Sequence, residues 1–247
     1  MINIKLPLYG IMILLSLLVN IIIVIVIYKK FNFSKDEIIG ALVYENIGII
    51  FGAKLLTYIQ NYSTYSNFDF LSLGLSSYGA FIGAIICLII FGLQFKKSLK
   101  DMLFTFMPSI PLMYAIGKIG CFLAGCCHGI EYNGIGSITY KYSEVAPNHI
   151  HLFPVQIVET IAFTVIFIYM IKKILKNQFY WKTLGISFIL CGLAKFSLDY
   201  FRVSHINTFL SLNQSISIIF ILIGVFIYFK SKKALINSEV KYEVQKL

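Results

Sequence analysis

Seven long apolar runs set the strongest limit on what this chain can fold into. Each run holds about 20 mostly apolar residues, the length that an α-helix needs to cross the hydrocarbon core of a bilayer. They are Leu6–Tyr28, Ile38–Tyr58, Leu71–Leu93, Leu103–Leu123, Phe153–Ile171, Tyr180–Phe201 and Phe209–Phe229. Only 13% of the residues are charged, whereas soluble domains carry about 25%. We therefore predict an all-α integral membrane protein, a bundle of seven transmembrane helices in a single polytopic domain over residues 1–247.

The distribution of lysine predicts the orientation of this bundle. Loops rich in Lys and Arg stay on the cytoplasmic side, and most of the 21 cationic residues follow the first, third, fifth and seventh runs. The opposite side holds only Lys5, Lys141 and Arg202. We therefore expect the N-terminus outside and the C-terminus in the cytoplasm. The net charge of +10 is divided among four segments, which favours anchoring at the inner leaflet over binding to nucleic acid.

The longest segment between runs covers about 126–152 and lies on the predicted outer side. It contains turn residues such as Gly134 and Pro147, and residues 138–140 predict a short strand. Loops of this length are often functional.

Five cysteines do not form a disulfide framework. Cys87 and Cys191 lie in apolar runs and are interpreted as packing residues. Cys126 and Cys127 are adjacent and precede His128, so they lack the two-residue gap typical of zinc sites. No metal site is predicted on this ground. A redox pair or a compact turn of small residues both stay open.

Three lysines lie inside the apolar runs, where each costs about 2.5 to 3.5 kcal/mol at the bilayer centre. They are Lys54, Lys118 and Lys195. One interpretation is that they pair with internal acids and hold the bundle together.

Spacing favours such pairing for only one of the three lysines. Lys195 and Asp199 are four residues apart on one helix face, whereas Lys118 has no acid within four residues. A cation without a protein partner favours an anionic ligand, which in a membrane is a phospholipid phosphate.

The segment Gly117–Gly129, GKIGCFLAGCCHG, resembles the signature of the bacterial prolipoprotein diacylglyceryl transferase family, Gly-Arg-x-Gly-Asn-Phe-x-Asn-Gly-Glu-x-x-Gly in the fourth span. Other family motifs are matched in order along nearly the whole chain. The matching segments are GAKL at 52–55, YGAFIG at 78–83, PVQIVE at 154–159, Lys195 with Asp199 and Arg202, and SLNQ at 211–214.

Several positions depart from the family pattern. The three membrane lysines stand where the family has arginine, which keeps the charge but loses bidentate phosphate geometry. Tyr78 replaces a functional histidine, and Phe153 replaces the histidine of another motif. Cys121, Ala124 and Cys126 stand in place of Asn, Asn and Glu. The resemblance therefore implies the family fold more firmly than the family acceptor.

The reaction that the resemblance implies is transfer of a diacylglyceryl group from phosphatidylglycerol to the lipobox cysteine thiol of an exported prolipoprotein or a related acceptor. Lys118 and Lys195, together with Lys54, would hold the phosphate and stabilise the charge of the leaving glycerol phosphate. Tyr78 or His128 would accept the thiol proton.

Further roles are implied around the head group. Asp199 would orient Lys195 or Arg202, and Gln156 and Glu159 would be polar supports. Gly125 and Gly129 would allow close approach of lipid or backbone. The implied substrate-binding set is completed by Gly79, Cys121, Cys126, Arg202 and Gln214.

Two other classes of function stay open. One is a lipid- or peptide-binding or transport protein on the same fold, and the other is a membrane thiol oxidoreductase. The second needs a quinone pocket or a Cys-x-x-Cys pair, and the sequence contains no such pair. The expected partners are phosphatidylglycerol, an exported precursor protein or peptide and the membrane, without nucleic acid, metal or cofactor. The expected location is the bacterial plasma membrane, as a multi-pass protein.

Overall fold

The computed structural model describes residues 8–60, 62, 74–203 and 209–244. Its elements are helices α1 (Leu8–Ile27), α2 (Lys35–Gln60), α3 (Ser77–Gln94), α4 (Leu99–Phe106) and α5 (Ile110–Ala124), strands β1 (Ile138–Thr139) and β2 (His151–Leu152), and helices α6 (Val155–Leu175), α7 (Trp181–Asp199) and α8 (Leu212–Val244). Short 3-10 turns at Tyr28–Phe31 and Met107–Ser109 follow α1 and α4.

Seven helical stretches in the described part of the chain are long and apolar enough to cross a membrane, which confirms the all-α seven-span prediction. They are Leu8–Phe31, Lys35–Gln60, Ser77–Gln94, Leu99–Ala124, Val155–Leu175, Trp181–Asp199 and Leu212–Lys232. The predicted starts at Leu6 and Leu71, and the outer-side Lys5, fall outside the described residues. The orientation of the two termini stays a prediction.

The fourth span is made of two helices rather than one. A turn at Met107–Ser109 separates α4 from α5. Pro108 lies in this turn and Pro111 lies in the first turn of α5, where a missing N–H costs little because no carbonyl of the helix precedes it as an acceptor.

The chain divides into two compact units, Met1–Asn20 with Pro108–Leu247 and Ile21–Met107. The single polytopic domain expected from the sequence stays a prediction.

In the second unit, α2 and α3 approach each other through four glycines. A Cβ atom at Gly48 would meet the Gly83 carbonyl oxygen, and one at Gly79 would meet the Gly52 carbonyl oxygen. The two glycines of each helix are four residues apart, at 48 and 52 on α2 and at 79 and 83 on α3, which is the small-residue spacing that brings transmembrane helices close together. Gly79 therefore has a packing role.

In the first unit, α7 and α8 pack closely in a similar way. A Cβ atom at Gly185 would meet the Gly224 carbonyl oxygen, and one at Gly192 would meet the backbone of Ser217. The start of α8 is fixed by a capping box, in which Ser211 Oγ accepts from Gln214 N at 3.0 Å and Gln214 Oε1 accepts from Ser211 N at 3.1 Å. The Ser211 hydroxyl also donates to Asp199, the last residue of α7, and so holds the start of α8 beside the end of α7.

The segment after α5 folds back over the helix ends of the first unit. Strands β1 and β2 are antiparallel, with Ile138 opposite Leu152. The predicted strand at 138–140 is confirmed over Ile138–Thr139, whereas Tyr140 forms an isolated bridge with Asn148. Ile130 N donates to Phe201 O at 3.0 Å. The loop is thereby attached to the end of α7.

Candidate functional site

The centre of the candidate site is the carboxylate of Glu159 on α6. Its Oε2 atom lies 2.7 Å from Lys118 Nζ on α5, and its Oε1 atom lies 3.9 Å from Lys195 Nζ on α7. Only 1% of Glu159 is exposed. Three spans therefore bring two cations to one buried carboxylate.

Tyr114 on α5 connects the same groups. Its hydroxyl donates to Glu159 Oε1 at 2.8 Å and accepts from Lys195 Nζ at 2.7 Å. The ammonium nitrogens of Lys195 and Lys118 lie 4.6 and 5.1 Å from its ring centroid, within the range of cation–π attraction. Sequence reasoning missed Tyr114, although its position four residues before Lys118 places both on one face of α5.

The expectation that Lys118 lacks a protein partner is wrong. The counter-charge comes from Glu159 on the next membrane span, a contact that residue spacing within one helix does not reveal. Lys118 and Lys195 share this carboxylate, whereas a common head-group site that also includes Lys54 stays a prediction. Glu159 is the acid that both lysines share, and its role as a support around a head group stays a prediction.

A second charged cluster lies at the end of α7. Arg202 Nη1 is 3.8 Å from Asp199 Oδ1, and Asn213 Nδ2 donates to the same oxygen at 3.0 Å. The Ser211 hydroxyl donates to Asp199 Oδ2. The expected role of Asp199 in orienting Arg202 fits these contacts, because the carboxylate is itself held by α8 and the residues before it. Sequence reasoning gave no role to Ser211 or Asn213.

Arg202 is a buried and firmly protonated cation. Burial disfavours its charge, but the nearby charges of Cys127, Glu159 and Asp199 outweigh this and raise its pKa above the ordinary value. Its Nε atom has no hydrogen-bond partner within the described part of the chain.

Two buried glutamines border these clusters. Gln156 Nε2 donates to the Cys126 carbonyl oxygen at 2.9 Å and so ties α6 to the turn after α5. Gln156 Oε1 and Gln214 Nε2 have no partner among the residues that the structure describes. An unpartnered buried polar atom costs about 1 to 3 kcal/mol, so these atoms are candidates for contact with a polar head group.

The turn after α5 depends on two glycines. Gly125 ends the helix in the left-handed region, with φ 72°. A Cβ atom at Gly129 would meet the Phe153 and Phe201 carbonyl oxygens. Backbone therefore approaches Gly129 closely, whereas the neighbours of Gly125 are side-chain atoms of Ser143 and Ala146. Contact with lipid stays a prediction.

The same turn brings three cysteine sulfurs together. The Sγ atoms of Cys121, Cys126 and Cys127 all lie within 4.8 Å of one another. Hydrogen bonds from the Cys121 and Cys126 thiols lower the pKa of Cys127 below its ordinary value, and Lys118 and Arg202 act in the same direction. Cys127 is therefore the most acidic of the three thiols.

His128 follows this cluster and is half-buried. Its Nδ1 atom lies 3.1 Å from the Gly129 carbonyl oxygen. Because a carbonyl oxygen can only accept, this contact favours the tautomer with the proton on Nδ1 and leaves Nε2 as the basic nitrogen.

The remaining predicted site residues Lys54, Tyr78 and Gly79 belong to the second unit. Lys54 and Tyr78 are half-buried on α2 and α3. Their participation in the site around Glu159 stays a prediction.

The fold and the buried charges define a class of protein, a multi-pass helical membrane protein with an ionic site enclosed by its spans. Residues 1–230 match the family model of prolipoprotein diacylglyceryl transferase. The chain belongs to this family. Its location is the bacterial plasma membrane, as expected for a family of membrane transferases.

Named relatives cover almost the whole chain. A phosphatidylglycerol–prolipoprotein diacylglyceryl transferase of Finegoldia magna is 30% identical over 243 residues, covering 94% of each chain. The Clostridium tetani enzyme of the same name is 29% identical over 226 residues, 89% of this chain and 91% of the relative. Transferase 2 of Clostridium perfringens is 26% identical over 233 residues, 92% and 91% of the two chains.

Proposed function

We propose that this protein transfers the diacylglyceryl group of phosphatidylglycerol to the lipobox cysteine thiol of exported prolipoproteins. The thiol sulfur forms a bond to the glyceryl carbon, and the bond from that carbon to the phosphate oxygen breaks. Glycerol phosphate leaves with the electron pair, and the thiol proton passes to a base. The observation that carries this proposal is the convergence of Lys118 and Lys195 on Glu159 inside the membrane.

The charge balance of the site suits an anionic head group. The two clusters contain three cations, Lys118, Lys195 and Arg202, against the two carboxylates Glu159 and Asp199. Within these two clusters the cations outnumber the carboxylates and are buried, where electrostatic attraction is stronger than in water. A phosphate that enters between the lysines would gain from both, and its negative charge grows as the bond to the glyceryl carbon breaks.

Buried donors add directional contacts to this attraction. Arg202 Nε and Gln214 Nε2 are both unpartnered among the described residues. Each can donate to a phosphate or glycerol oxygen. Together with Lys118 and Lys195, they would hold the leaving group in a fixed orientation.

The proton acceptor is His128 or Tyr78. His128 is half-buried beside the turn after α5, with Nε2 as its basic nitrogen. An imidazole titrates nearest to neutral pH among the side chains. It is therefore the better matched of the two for accepting a thiol proton.

The test uses the purified full chain with phosphatidylglycerol labelled in its acyl chains and a lipobox peptide. We expect label on the peptide cysteine, and little with Lys118→Met. Lys97→Met is the matched control, because it removes a lysine from an ion pair with the partly exposed Glu37. Replacing phosphatidylglycerol with vesicles of phosphatidylethanolamine tests which phospholipid is the donor.

Three results would contradict the proposal. Lipid retained without transfer favours a binding or transport protein, and thiol oxidation without lipid transfer favours an oxidoreductase. Equal rates of transfer by wild type and Lys118→Met would show that the ionic site takes no part in the reaction.

A further inference from the structure

The three cysteines at the end of α5 form a cluster that the transfer reaction does not need. In the proposed reaction the nucleophile is the substrate's thiol, so the protein's own thiols have no required chemical step. Yet their Sγ atoms lie within 4.8 Å of one another. Cys87 and Cys191 lie elsewhere, on α3 and α7.

Backbone conformation produces this cluster. Gly125 is left-handed, with φ 72°, and Cys127 is also left-handed, with φ 55°. Such angles are uncommon for a residue with a side chain. They turn the chain sharply after the helix and return Cys126 and Cys127 towards Cys121.

We propose that Cys121, Cys126 and Cys127 bind one thiophilic metal ion of the Zn²⁺ type. A Zn–S bond is about 2.3 Å, so three thiolates around one ion lie about 4 Å apart. The observed limit of 4.8 Å requires little movement to reach this spacing. A fourth position stays available to water or another ligand.

Charge and accessibility are both consistent with an ion at this position. Binding three thiols releases three protons, so a Zn²⁺ complex would carry one negative charge. Lys118 lies three residues before Cys121 on α5, so a cation is close to the cluster. Cys121 is buried, Cys126 is half-buried and Cys127 is exposed. An ion can therefore reach the cluster through Cys127.

The experiment measures binding of Zn²⁺ alone to the full chain in detergent, after reduction of the thiols and removal of metal. We expect one Zn²⁺ per chain, and absorption from sulfur-to-metal charge transfer when Co²⁺ is the probe. The double variant Cys87→Ala/Cys191→Ala should bind equally, because it keeps all three cluster thiols.

Cys127→Ser should weaken binding by more than the ~10–100-fold that substitutions outside the ligand shell cost. Cys127 is exposed, so this variant should fold, and its melting temperature checks that. These readouts need no transferase activity and remain informative if the proposed function fails.

Absence of stoichiometric Zn²⁺ binding to the reduced wild type would overturn the proposal. Equal binding by folded Cys127→Ser would do the same. A disulfide between two of the three cysteines, found by mass spectrometry together with no bound metal, would assign the cluster to redox chemistry instead.

Discussion

The ammonium group of Lys118 and the carboxylate of Glu159 form an ion pair with Nζ 2.7 Å from Oε2, and the two residues are only 5% and 1% exposed. Lipid cannot solvate either charge, so each depends on the other. Lys195, 3.9 Å from the second oxygen, adds a cation that Glu159 cannot fully neutralise. The three residues therefore stabilise one another, and together they carry a net positive charge.

Glu159→Gln should be among the most damaging single substitutions. It leaves two buried ammonium groups without their shared counter-charge, and breaking a buried pair costs about 3 to 5 kcal/mol. We expect transfer to fall by ~100-fold or more and the melting temperature to drop, measured on protein purified in detergent. Glu37→Gln is the control, because its pair with Lys97 is partly exposed and is worth about 0 to 1 kcal/mol. Equal effects of the two substitutions would contradict the central role of Glu159.

Tyr114→Phe tests the hydroxyl that joins Lys195 to Glu159. The ring stays, so packing and cation–π contacts are kept while two hydrogen bonds are lost. We expect kcat to fall by roughly 10- to 100-fold, because a misoriented ammonium group stabilises the leaving phosphate less well. Tyr44→Phe removes an exposed hydroxyl bond to Gln94 and should leave kcat unchanged. Unaltered kcat in Tyr114→Phe would make that hydroxyl a structural contact only.

Substitutions of Lys118 distinguish charge from geometry. Lys118→Met should nearly abolish transfer, because it removes a cation from the head-group site and leaves the Glu159 carboxylate without its nearest counter-charge. Lys118→Arg should keep or raise transfer, since a guanidinium offers a fork suited to phosphate. The rate of lipid transfer from phosphatidylglycerol vesicles is measured for both variants. A loss in Lys118→Arg as large as that in Lys118→Met would show that the site requires the compact ammonium group.

His128→Ala tests the proposed base. We expect transfer to fall by about 100-fold or more, within the ~10²–10⁴-fold range of general-base catalysis. His149→Ala is the control, because His149 is exposed on the loop between α5 and α6. If His128→Ala keeps its rate while Tyr78→Phe loses it, the role of base passes to Tyr78.

Gly129→Ala tests the close packing of the turn after α5. Its Cβ atom would meet the Phe153 and Phe201 carbonyl oxygens, and such overpacking costs typically about 1 to 3 kcal/mol. We expect a lower melting temperature together with weaker transfer. Gly74→Ala should be tolerated, because its Cβ atom would meet only the Thr57 methyl group at 3.6 Å. An unchanged melting temperature in Gly129→Ala would show that the loop can shift without a loss of stability.

The membrane fold was predictable because its main constraint is local. A run of about 20 apolar residues is a property of the sequence alone, and lipid leaves such a run little choice but a helix. The signature at Gly117–Gly129 and its companion motifs likewise predicted the family that the comparison confirms. The break between α4 and α5 was not predicted, although Pro108 and Pro111 mark it.

The sequence by itself thus determined the seven spans, the lysines buried within them and the family. Only the tertiary structure decided that Lys118 pairs with Glu159, that Tyr114 joins Lys195 to the same carboxylate, and that three cysteines converge. Helical spacing relates residues three or four positions apart, whereas these contacts join different spans or pass through a left-handed turn. Their partners are set by how the helices pack, which no local pattern contains.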